Sequence, residues 1–209
     1  MSEHLAREEV RSLMRRLENR PAHVEHVSNL ALQLFDGLTA LHGMGDRERL
    51  LLEAAGHLHD VGHKFDNIGE GHHKESARII RQHPWQHFTP REAQIIALVA
   101  RYHRKGGPAM KHEEFAAMPE PDRKIVEGLS ALLRLGDSLD RAHEQFVQRV
   151  TAEILPGRII LHMETTGPVY REVLAARKKA DVAQAVFQRE LVFMVGEKVI
   201  DPNAPAWTW

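Results

Sequence analysis

The stretch Leu50-Leu51-Leu52-Glu53-Ala54-Ala55-Gly56-His57-Leu58-His59-Asp60-Val61-Gly62-His63 joins an apolar helical repeat to a contiguous His-Asp pair. Leu50, Leu51, Ala54, Ala55, Leu58 and Val61 recur at helical spacing and predict a helix over 47–61, with Asp46 as its cap and Gly62 as its stop. Neighbouring residues on a helix point about 100° apart, given its 3.6-residue turn. His59 and Asp60 can therefore reach one common point only where the helix ends, and Gly62 supplies that ending.

Working outward, His26 lies in His26-Val27-Ser28-Asn29-Leu30-Ala31 and Asp137 in Leu132-Leu133-Arg134-Leu135-Gly136-Asp137-Ser138-Leu139-Asp140-Arg141, each inside an apolar helical pattern. A cavity between helices can collect ligands from several of them. His26, His59, Asp60 and Asp137 form a candidate metal set of two imidazoles and two carboxylates. Without thiolates, the set suits Mn, Mg, Fe, Co, Ni or Zn rather than a structural zinc knot, and it leaves open positions for water. Such a site lowers the pKa of a bound water. A His-Asp pair also arises by chance, and it is the ordered set that gives this one meaning.

The rest of the first 147 residues is helical in pattern, with helices expected over 3–18, 22–42, 72–83, 90–103 and 122–145. Thr89-Pro90-Arg91-Glu92 reads as an N-cap, a first-turn proline and a favourable acid. A loop with Gly69 and Gly71 follows the His-Asp segment, and Gly106-Gly107-Pro108 breaks the chain again. After Phe146 the period changes. Strands are expected over 149–155, 158–164 and 190–195, helices over 169–179 and 181–188, and an irregular end from Asp201. The fold class is mainly α: a helical bundle over 1–147 that binds the metal, and a small α+β C-terminal subdomain over 148–209 with an antiparallel sheet. Ile160, Val192 and Met194 need covering there, by the helices or by another chain. His162 sits alone in a strand, so the segment is expected to support the fold or an assembly and to supply no catalytic group.

Composition excludes several classes. The 209 residues hold 27% charged and 43% hydrophobic side chains with a net charge of −1, which gives no bulk attraction to DNA or membrane. The apolar runs are too short to span a bilayer, the charged N-terminus is not a secretory signal, and the absence of cysteine fits a cytoplasmic chain. The 15 histidines are a heavy load for a residue that is the commonest metal ligand.

The order of His26, His59-Asp60 and Asp137 resembles the H…HD…D pattern of the HD superfamily of metal-dependent phosphohydrolases. A closer resemblance, over residues 23–145, is to the C-terminal helical region of the exopolyphosphatase and guanosine-pentaphosphatase family. It is carried by His26-Val27-Ser28-Asn29-Leu30-Ala31-Leu32-Gln33-Leu34-Phe35-Asp36, Leu58-His59-Asp60-Val61-Gly62, Gly71-His72-His73-Lys74-Glu75-Ser76-Ala77, Arg101-Tyr102-His103-Arg104-Lys105 and the Asp137 segment. Ala176-Arg177-Lys178-Lys179-Ala180-Asp181 looks like that family's small C-terminal segment. The family's actin-like half, which carries its exopolyphosphatase site, has no counterpart in these residues, so that activity is not expected of them. His73-Lys74-Glu75 also stands where the family tends to show His-x-His.

The resemblance implies a hydrolase that attacks phosphorus in a nucleotide or other small phosphorylated compound, using metal-activated water and no organic cofactor. The alternative is a non-catalytic module that binds polyphosphate or a guanosine alarmone, and a homodimer is compatible with either. Beside Asp60, His73 or Glu75 would move protons. His73 and His103 fall where two-metal HD enzymes place further histidines, although His103 also reads as an ordinary helix-terminal cation. Lys64, Arg104, Lys105 and Arg141 are the candidate phosphate contacts, and Arg134 shares a helix face with Asp137 and Arg141. Any one of these cations alone reads as solvated surface. His57 and His63 read as hydrogen-bonding supports or surface residues rather than ligands.

Overall fold

The computed structural model describes residues 2–66 and 71–201. The expected loop around Gly69 and the irregular end beyond Asp201 lie outside them. The helices are α1 (Ser2–Leu17), α2 (Pro21–Gly37), the short α3 (Thr39–His42), α4 (Asp46–Leu58), α5 (His72–Gln82), α6 (Pro90–Arg101), the short α7 (Glu113–Ala116), α8 (Glu120–Ser138), α9 (Tyr170–Lys178) and α10 (Asp181–Phe187). A 3-10 turn, Val61–Phe65, follows α4. The strands are β1 (Val147–Leu155), β2 (Arg158–Thr165), β3 (Glu190–Val195) and β4 (Lys198–Val199).

Helix α4 is buried without interruption from Leu50 to Leu58. A helix that is buried all round belongs at the centre of a bundle, and α4 packs against α1, α2, α6 and α8. The helix ends one turn earlier than its apolar pattern suggests. His59 is its cap, and Asp60 sits at φ −106°, ψ −2°, leading into the 3-10 turn. Gly62 matters through close approach. A Cβ there would collide with the His72 carbonyl oxygen and lie 2.5 Å from the Ser76 nitrogen. Its N–H donates to Ser76 Oγ at 2.9 Å, which draws the start of α5 onto the end of α4.

The Thr89 cap of α6 forms as the sequence predicts. Thr89 Oγ1 accepts from the Glu92 N–H, and Glu92 Oε2 accepts from the Thr89 N–H at 2.8 Å. The last long helix of the bundle stops at Ser138 rather than continuing to 145. The chain then turns through His143 and Gln145, both in the left-handed region.

The C-terminal sheet runs β1-β2-β3-β4 and is mixed, not antiparallel as expected. β1–β2 is a hairpin across Gly157, β2–β3 is parallel, and β3–β4 is antiparallel. The parallel pair has a simple cause: α9 and α10 fill the connection from β2 to β3 and return the chain in the same direction. The inward face carries Ile159, Leu161, Met163, Leu191 and Phe193, whereas Ile160, Val192 and Met194 lie half-buried on the other face. One hydrophobic cluster runs from Ala6 through the bundle to Phe193 and Ile200.

Candidate metal and anion site

Four imidazoles and two carboxylates meet where α2 and α5 begin and where α4, α6 and α8 end. His23 contributes from the first turn of α2. Its Nδ1–H donates to Asp140 Oδ2 at 2.7 Å, and its Nε2 faces Asp137 Oδ1 at 3.8 Å and Asp60 Oδ2 at 4.0 Å. His59 is built the same way. Its Nδ1–H donates to the Gly56 carbonyl at 2.7 Å, and its Nε2 lies 3.7 Å from Asp60 Oδ1 and 3.8 Å from Asp137 Oδ1. Tying off one ring nitrogen fixes the tautomer and leaves a lone pair on the other. The Nε2 atoms of both rings are buried and have no hydrogen-bond partner among the described residues. Unpartnered buried nitrogens aimed between two carboxylates are what a divalent cation needs, so the residues fit one.

His103 and His72 form a second group around the other side of Asp60. His103 Nδ1–H donates to the Ala100 carbonyl at 2.6 Å, and its Nε2 lies 3.5 Å from Asp60 Oδ1. His72 Nε2 is 3.5 Å from the same oxygen and 3.4 Å from His103 Nε2. His72 differs from the others because Arg104 Nη1 donates to its Nδ1 at 3.2 Å, which puts the ring proton on Nε2. A second ion on Asp60, His72 and His103 would have to break that bond.

The local electrostatics follow from burial. Asp60 lies among imidazoles: burial opposes its ionisation, but His59 and His103 outweigh it and hold the carboxyl below the usual range. Asp137 is also opposed by burial and held ionised, chiefly by Lys179, then by His103 and His59. Burial pushes His72 down to about 4 and His103 well below its ordinary value, so both rings are neutral at pH 7.

Above the cluster opens a cavity of 590 Å³. Its cationic lining is Arg20, Arg104, Arg141, Arg171, Lys178 and Lys179. The last three come from α9 and its cap, so the C-terminal segment, expected to support the fold and to supply no catalytic group, also lines the cavity. Lys179 Nζ donates to Asp137 Oδ2 at 2.5 Å.

The structure brings together His59, Asp60, Asp137, His103, Arg104 and Arg141 of the residues singled out in the sequence. It does not bring His26, whose Nε2–H donates to the Val147 carbonyl at 2.8 Å and so ties α2 to β1. His23 takes that place. His73 lies on α5 one residue beyond His72 and turns out of the cavity, with its Nδ1 buried and unpartnered among the described residues. Glu75 pairs with Arg78, at 2.9 Å to its Nε, on the outer face of α5. Lys64 Nζ points to the Arg16 carbonyl at 3.4 Å. Lys105 and Arg134 form a structural unit: Arg134 is buried, and its Nη1 donates to the carbonyls of Tyr102 and Lys105, each at 2.9 Å. His57 donates to the Glu53 carbonyl on the opposite side of α4, whereas His63 lies in the cavity wall, 3.5 Å from Asp60 Oδ2.

The chain matches the family described as Ppx/GppA phosphatase, domain III, over residues 6–172. It belongs to that family. The matched range takes in the bundle from Ala6 onward, the β1–β2 hairpin and the first residues of α9, so it covers the lining of the cavity apart from Leu174, Ala175, Lys178 and Lys179. No curated protein matches the chain. Among the described residues, no helix is long and apolar enough to cross a membrane.

Proposed function

We propose that this Ppx/GppA-type domain is a metal-dependent phosphohydrolase of the HD kind, acting on a nucleotide or other small phosphorylated compound. The observation that carries the reading is the pairing of two unpartnered imidazole nitrogens, between Asp60 and Asp137, with a cavity walled by six cations. His23, His59, Asp60 and Asp137 would hold a divalent ion. When bound, such an ion supplies Lewis-acid polarisation of a phosphoryl oxygen and makes a nearby water more acidic.

The chain's own groups supply the rest. Arg104, Arg141, Arg171 and Lys178 bind and orient phosphate oxygens, with guanidinium forks giving direction as well as charge. Asp140 holds His23 in the tautomer that presents Nε2 to the cluster. His63 Nε2, between Asp60 and the cavity, is the imidazole placed to pass a proton between cluster and solvent. That role moves from His73 and Glu75, which face elsewhere.

A non-catalytic module for polyphosphate or a guanosine alarmone is the second reading. It is favoured by the extent of the cationic wall, which exceeds what one phosphate needs. A phosphate-release screen over nucleotides and inorganic polyphosphate, with Mn, Co, Ni and Mg supplied in turn, separates the two. Release that depends on the metal and is lost in Asp60→Asn supports the enzyme. Tight polyanion binding without release in every metal supports the module.

A further inference from the structure

Two cations of the cavity are already engaged with the carboxylates of the cluster. Arg20 Nη2 donates to Asp60 Oδ2 at 3.2 Å from the residue before α2, and Lys179 Nζ donates to Asp137 Oδ2 at 2.5 Å from the cap of α9. The geometry at Asp137 divides the carboxylate. Oδ1 faces the Nε2 atoms of His23 and His59, and Oδ2 takes the ammonium. Lys179 is mostly buried, with its side chain 19% exposed, whereas Arg20 is 44% exposed and shares its guanidinium with the His143 ring at 3.3 Å. Lys179 is therefore the more committed of the two.

A divalent cation arriving between Oδ1 and the two imidazoles would meet this ammonium across a single carboxylate, and like charges at that range repel. A lysine stem has four rotatable carbons and can re-aim its charge. The open direction is the cavity, where Arg141, Arg171 and Lys178 stand.

We propose that Lys179 is a counter-ion shared between Asp137 and the anionic ligand: it holds Asp137 while the cluster carries no divalent cation, and turns to the anion when one binds. This rests on the metal reading given above. The consequence is thermodynamic. A divalent cation frees a positive charge for the anion, the anion stabilises the freed lysine, and each ligand tightens the other by the same factor.

The test is Mn²⁺ binding to the full chain, read from the free-ion paramagnetic resonance signal, with and without inorganic phosphate. Each titration is referred to protein-free buffer of the same phosphate content. In the unsubstituted protein, phosphate should tighten Mn²⁺ by about fivefold or more, the lower end of ordinary coupling between sites. Lys179→Met should bind Mn²⁺ alone more tightly than the unsubstituted protein and should show a clearly smaller phosphate effect, leaving only the part that direct contact between phosphate and the ion supplies. Lys178→Met, which removes a neighbouring cation without touching Asp137, should weaken phosphate but keep the coupling. If Lys179→Met does not fold, Lys179→Gln carries the same test.

Mn²⁺ affinity that ignores phosphate overturns the proposal. So does a Lys179 variant that binds Mn²⁺ no more tightly than the unsubstituted protein, or a Lys178 variant that loses the coupling equally. If the unsubstituted protein fails to bind Mn²⁺, the metal reading itself falls, and the two failures are thereby distinguished.

Discussion

His23 and His26 stand three positions apart on α2, and their phase on the helix separates their roles. His23 continues the stripe of Val27, Leu30 and Leu34, all buried, whereas His26 lies on the flank with the exposed Glu25 and Asn29. That phase was readable from the sequence. The order of the His, His-Asp and Asp residues that meet in the cluster was legible, and the choice between two histidines needed the buried face to be followed one turn back. His23→Ala should accordingly lose metal retention, as measured by metal analysis after gel filtration. His26→Ala should keep the metal and lose only a hydrogen bond to β1, about 0.5–1.5 kcal/mol of stability by chemical denaturation. Retention in His23→Ala would return the first-helix ligand to His26 or remove it altogether. Asp140→Asn should weaken metal affinity about 10–100-fold, because it disturbs the partner that fixes the ligand's tautomer.

His73 gives a pH signature outside the cluster. Burial, then Lys105 and Lys74, push it down to about 4, against an ordinary 6.5. Between those values the unfolded chain takes up a proton that the folded chain refuses. The contribution of His73 to stability is therefore complete above about 6.5 and is lost as the pH falls toward 4. His72 has the same sign. In metal-free protein, His73→Leu should flatten the fall in stability over that window by up to one proton's slope, about 1.4 kcal/mol per pH unit. An unchanged slope in urea unfolding at successive pH values would show that His73 takes up its proton equally in the folded and unfolded states.

Helix α9 is the element whose role the sequence concealed most. Its pattern is amphipathic, with Val173 and Ala176 buried, and on periodicity alone it reads as cover for a sheet. Arg171 and Lys178 belong to its other face, and only the packing of α9 against α8 makes that face a wall of the cavity. The mixed sheet was hidden for a related reason. Alternation marks a strand but not its direction, and direction depends on the helices inserted between β2 and β3. Helix existence, by contrast, was legible nearly throughout, because α2, α4, α6 and α8 each carry long apolar repeats. Replacing Arg171 and Lys178 together with Ala should leave metal retention intact and raise KM for a phosphorylated substrate by about tenfold or more, as expected for losing charge-assisted contacts. A drop in kcat with unchanged KM would instead place α9 in the chemical step.

Across the molecule, net charge hides the site. A chain of −1 overall carries six cations on one cavity because acids elsewhere, such as Glu92 on Arg47 and Asp122 on Arg91, neutralise the rest of the surface. Average charge speaks for bulk attraction, and a concave wall focuses its own field. The division into a bundle over 1–147 and a subdomain over 148–209 meets a similar limit. The change of period at Phe146 is real, yet the apolar cluster crosses it. Val147 and Val150 of β1 join the core beside α2, α10 packs on α8, and Leu161 and Phe193 belong to the same cluster as Leu58. Elements that share one core unfold together when neither part buries enough surface alone. Hydrogen exchange in rising denaturant should therefore release peptides from α4 and from β2 at the same concentration, and a chain cut after Phe146 should fail to give a soluble, metal-loaded fragment. Release of β2 well before α4, with a folded fragment surviving the cut, would establish two separate units and make α9 a docked wall rather than part of a single core.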